Sequence, residues 1–170
     1  MNGLREQLRD ILSRPVAWVG IGNPDLGDDG LGVRLAEMLQ EAGCGNVILG
    51  GSVPENHLHA VEETDCDEVV FLDATNFGGA PGSVALFDRD EIVSRHPQIS
   101  THKLSLGFLA TMLESESHRR VRLLAVQPGR LTPGTPISTT VRETLESLTQ
   151  LLINLGAAEP VAVPEAPCVS

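Results

Sequence analysis

Positive charge is scarce in this chain. Twelve Lys and Arg face 23 Asp and Glu, a formal net charge of -11 and a pI near 4.7. Affinity for nucleic acid comes largely from Lys and Arg neutralising phosphates, so nucleic acid is excluded as an expected partner. Anionic membrane surfaces are disfavoured for the same reason, while a basic protein segment stays compatible. Long apolar runs are missing too: none approaches the roughly 18 residues of a membrane helix. The N-terminal MNGLREQLRDILSRP is charged throughout and lacks the hydrophobic region of a signal peptide, so cytoplasm is the expected compartment. Cysteine is sparse. Cys44, Cys66 and Cys168 are odd in number and form no CxxC, which suggests neither a disulfide framework nor a Cys-zinc site. There is no HExxH, and no Ser/His/Asp or Cys/His nucleophile arrangement.

What is present fits one globular domain: 170 residues, 41 % hydrophobic and 21 % charged. A first helix is expected over residues 3–13, with Leu4, Leu8, Ile11 and Leu12 on one stripe. Val16–Gly20 reads as a buried strand running into the Gly-rich turn GIGNPDLGDDG. A helix is expected over Gly30–Ala42, a strand over Asn46–Leu49, a turn at Gly50–Ser52 and a helix over Pro54–Glu63. Glu68–Leu72 (EVVFL) has no polar alternation, as a strand covered on both faces should, and it ends in Asp73. Ser83–Phe87 is expected as an edge or antiparallel strand, Leu104–Leu113 as a helix and Val121–Val126 as another buried strand. The last helix, Ile137–Leu155, carries Val141, Leu145, Leu148, Leu152 and Leu155 on one seam, with Gly156 as its stop. Strands alternating with helices imply an α/β fold: a mostly parallel sheet covered on both faces. In such folds the functional crevice lies at the carboxyl ends of the strands.

Three places at those ends carry chemistry. The first turn has Gly20 and Gly22 of a dinucleotide fingerprint, but Asp25 stands where the third glycine belongs. Asp28 and Asp29 would repel a pyrophosphate there. Acids at a helix N-terminus also serve as caps, yet two adjacent acids between Gly27 and Gly30 exceed what a cap requires. Asp73 either hydrogen-bonds the turn Ala74-Thr75-Asn76 or points into the crevice. His102, in ISTHKLSL before an apolar helix, is either a capping and packing residue or a ligand. Together, Asp29, Asp73 and His102 would make a three-ligand site with open positions, suited to a borderline divalent cation such as Ni²⁺ or Zn²⁺.

GIGNPDLGDDGLG, GGSVPENHL, VVFLDAT, GGAPGSV, ISTHKLSL and LLAVQP occur in this order, and in that order the chain resembles the hydrogenase maturation endopeptidases. The resemblance spans about Val16 to Leu155. Its PENH and AVQP elements are more similar to the branch that matures formate-hydrogenlyase-type (hydrogenase 3) enzymes. It implies a three-layer α/β/α sandwich with a twisted sheet, of the phosphorylase/hydrolase-like kind. Residues 1–15 would be an N-terminal helical extension, 16–156 the protease domain and 157–170 a disordered Pro-rich tail. The implied reaction is removal of the C-terminal extension of the [NiFe]-hydrogenase large-subunit precursor after nickel insertion, by a monomer. The family's metal ligands fall on Asp29, Asp73 and His102, with nickel recognised in the precursor. Asp29 and Asp73 are the implied catalytic carboxylates, and Asp28 is a candidate for the one that activates water. Two other readings compete. Peptidyl-tRNA hydrolase shares the GxGNP opening, but the net charge of -11 opposes RNA binding. A non-catalytic nickel-dependent quality-control protein would use the same three ligands.

Overall fold

The computed structural model describes residues 2–95 and 105–157. Its elements are α1 (Asn2–Leu12), β1 (Val16–Ile21), α2 (Leu31–Glu41), β2 (Val47–Gly51), α3 (Leu58–Glu62), β3 (Glu68–Ala74), β4 (Val84–Asp88), α4 (Arg89–Arg95), α5 (Leu106–Glu116), β5 (Arg120–Val126) and α6 (Thr139–Ala157). Short 3-10 turns, Gly27–Gly30 and Pro54–His57, precede α2 and α3.

The five strands form one sheet in the order β2-β1-β3-β5-β4. β1, β2, β3 and β5 are parallel; β4 is both antiparallel and at the edge. Strand side chains alternate between faces, and each face has its own core. Val70, Leu72, Leu124 and Val126 meet α2 and α6, with Leu35, Leu39, Leu145, Leu148 and Leu152 among the buried partners. Val69, Phe71, Leu123 and Ala125 meet α4 and α5 through Ile92, Leu106, Leu109 and Leu113. The expected three layers are thus present, α1, α2 and α6 on one side and α3, α4 and α5 on the other.

Several boundaries differ from the sequence expectation for identifiable reasons. β3 runs on through Asp73 and Ala74 because these pair with Ala125 and Val126. Gly50 and Gly51, expected as a turn, lie within β2, where Gly51 pairs Ile21 and its carbonyl accepts from the Gly22 N–H at 2.9 Å. The expected helix 54–63 is split into the 3-10 turn and α3. Gly156 does not stop the last helix, which continues to Ala157. α4 has no counterpart among the expected elements, although Asp88 and Glu91 carry its signature: each side chain accepts from the other's backbone N–H at 2.9 Å, a reciprocal capping box. α1 is more than an appendage, since Leu8 and Ile11 are fully buried in the core shared with α2 and α6. Residues 158–170 of the expected tail lie outside the described residues.

Candidate functional site

The strand order reverses direction between β1 and β3. β1 connects outward to β2 on one side, and β3 then opens the other half of the sheet. In open α/β sheets the crevice at such a switch point is where ligands bind. Both described candidate ligands flank it. Asp29 lies in the turn that follows β1, and Asp73 near the end of β3, beside Ala125.

The first turn is held by close backbone approaches. Gly22 has φ +131°, and a Cβ there would collide with the carbonyl oxygen of Asp29. The Asp29 Oδ2 accepts from the Asn23 N–H at 2.8 Å, and the Asn23 side chain accepts from the Asp25 N–H at 3.0 Å. Gly32 in α2 presses on the carbonyls of Ile21 and Leu72, leaving no room for a Cβ. It does the helix-to-strand work that a third fingerprint glycine would do elsewhere. Its signal in the sequence is the third glycine of GDDGLG.

Asp28 and Asp29 are both buried, but in different company. The Asp28 Oδ2 accepts from the backbone N–H of Gly129 (2.8 Å) and Arg130 (2.7 Å) and from the Ser138 hydroxyl (2.9 Å). Its Oδ1 accepts from the Ser138 N–H at 2.6 Å. Burial pushes this carboxyl's pKa up, yet the bonds from Ser138, Arg130 and Gly129 together outweigh it and hold the value below the ordinary range.

Asp73 is 2 % exposed, and its Oδ2 accepts from the Thr75 hydroxyl at 3.3 Å. It shares the face of Val69 and Phe71, the side covered by α4 and α5. The loop after it is organised by Gln127, which sequence reasoning gave no role. The Gln127 Oε1 accepts from the N–H groups of Phe77, Gly78 and Gly79 at 2.9–3.2 Å. Its Nε2 donates to the Asn76 side chain at 3.1 Å. A polar residue directly after the apolar strand VRLLAV was the available signal. His102 lies outside the described residues. Among the described residues no three His, Cys, Asp or Glu side chains gather into a metal-holding group. A groove of about 750 Å³ between α1, α6 and residues 81–84 contains none of the candidate residues.

Comparison with known proteins bears on the family of the chain. The model of a family described as hydrogenase maturation protease (HycI) matches residues 31–155. The hydrogenase 3 maturation protease of Escherichia coli K12 is 34 % identical over 134 residues, covering 78 % of this chain and 85 % of that protein. The crystal structure of a [NiFe] hydrogenase maturation protease HycI from Thermococcus kodakarensis superposes with a TM-score of 0.79 at 29 % identity, covering 89 % of this chain and 99 % of the other. The hydrogenase maturating endopeptidase HybD of E. coli gives a TM-score of 0.66 at 25 % identity, covering 85 % and 91 %.

Proposed function

The chain belongs to the hydrogenase maturation protease family, and on that premise we propose that it cuts the C-terminal extension from a [NiFe]-hydrogenase large-subunit precursor once nickel has been inserted. The observation that carries the site assignment is the placement of Asp29 and Asp73 on either side of the switch point between β1 and β3. Two carboxylates, with the imidazole of His102, are a donor set suited to a borderline cation. The nickel they grip is part of the substrate, already seated in the precursor. Gripping it sets the scissile peptide beside the two aspartates and makes the metal a checkpoint: without it the cleavage geometry is absent.

Hydrolysis adds a water oxygen to the scissile carbonyl carbon and breaks the C–N bond, and the departing amine takes up a proton. The reacting centre is of the aspartic type in this reading. Asp29 and Asp73 supply negative charge to the metal and a proton acceptor for the water. The enzyme acts as a monomer, in the cytoplasm.

Incubating nickel-loaded and nickel-free precursor with the protein tests this. The expected result is shortening of the loaded precursor alone. Efficient cleavage of the nickel-free form would overturn the checkpoint. Binding of loaded precursor without any shortening would point to the non-catalytic role.

A further inference from the structure

Neighbouring residues of a 3-10 turn point about 120° apart. Asp28 and Asp29 therefore leave the Gly27–Gly30 turn in different directions. Asp28 is 0 % exposed, and its donors come from both ends of one loop. Gly129 and Arg130 stand where the chain leaves β5, and Ser138 where it enters α6. The backbones of turn and loop are stitched together as well. The Asp28 N–H donates to the Arg130 carbonyl at 2.8 Å, and the Gly134 N–H to the Asp25 carbonyl at 2.8 Å. Gly27, at φ +57°, leaves only 2.7 Å between a would-be Cβ and the Arg130 oxygen. The loop so fastened follows the carboxyl end of β5 and exposes Leu131 at 45 %.

Three donors on Oδ2 and one on Oδ1 hold a carboxylate that is itself 0 % exposed, so it meets no bulk water. Its geometry is that of an anchor. We propose that Asp28 is a positioning residue whose carboxylate locks the loop 129–138 to the turn presenting Asp29, so that the metal ligand and this wall of the crevice form one rigid piece. This rests on the reading that Asp29 grips the precursor's nickel.

The test compares kcat and KM for nickel-loaded precursor, with thermal melts, in wild type, Asp28→Asn, Ser138→Ala, Asp29→Asn and Leu145→Ala. Asp28→Asn keeps the shape but turns an N–H₂ toward at least one of the four donors. Its KM should rise tenfold or more, with a smaller fall in kcat. Ser138→Ala removes one donor and should raise KM a few-fold. It carries the test alone should Asp28→Asn fail to fold. Leu145→Ala, a core change in α6, should lower the melting temperature at unchanged KM. A collapse of kcat at unchanged KM in Asp28→Asn would overturn the proposal in favour of proton transfer. Wild-type constants in both Asp28→Asn and Ser138→Ala would overturn it as well, as would a KM rise in Leu145→Ala matching theirs. Processing by Asp29→Asn at the wild-type rate would instead sink the reading of the ligand.

Discussion

Replacing Asp29 or Asp73 by asparagine changes one charge and almost no volume. Each change is expected to abolish processing of loaded precursor while far-UV circular dichroism stays native. Cleavage by Asp73→Asn at the wild-type rate would remove that residue from the site. Gly22 is the companion case, where geometry alone decides. Its φ of +131° and the Asp29 carbonyl against it forbid a side chain, so Gly22→Val should cost about 1–3 kcal/mol in strain and displace Asp29 from its place. Full processing by that variant would show that the turn does not position the ligand. These positions were legible in the sequence because they sit in a local pattern: glycines and acids next to a strand end. The task of Asp28 was not legible, since its partners lie 101, 102 and 110 residues away. Gln127 was hidden for a similar reason. Its three N–H partners lie 48 to 50 residues back, and no short-range pattern announces such a contact.

Elements were legible where hydrophobic period and length agreed, as in EVVFL, VRLLAV and the α6 seam. They were missed where a cap rather than a stripe defines the helix, as with the seven residues of α4. α1 shows the reverse: its stripe is plain in the sequence, but what the stripe packs against is not. Because Leu8 is fully buried against the core, Leu8→Ala should cost about 2–5 kcal/mol in urea unfolding. A cost near zero would return α1 to the status of an appendage. Glu68 opens β3 at 0 % exposure, with the Arg14 Nη1 3.2 Å away and Arg120 and Arg122 at 3.8 Å. Burial raises its pKa above the ordinary 4.5 despite the pull of Arg122, Arg120 and Arg14. The fold thus holds this proton more tightly than the unfolded chain does. The resulting stabilisation is full below about 4.5 and is lost as pH rises through the higher folded value. Glu68→Gln should therefore melt no lower than wild type at pH 7 and vary less between pH 4 and 7. A clear drop in its melting temperature at pH 7 would mean that the three arginines outweigh the burial.

At the scale of the molecule, two half-cores share one sheet, and Trp18 of β1 packs into one of them at 4 % exposure. There is no tyrosine and no second tryptophan, so indole fluorescence reports β1 alone. Both faces of the sheet depend on β1 and β3, so neither half-core should survive the other. Trp18 emission and far-UV circular dichroism are expected to trace one coincident unfolding transition. Separate midpoints would show that the two faces come apart independently. The sheet's two margins, β2 and β4, are each only five residues long, and a register shift between Gly20 and Ile21 interrupts the ladder beside β2. Rows of open backbone groups that brief give a neighbouring molecule little to zip onto. Concentrated solutions should therefore stay clear, free of the fibrils that long bare margins invite.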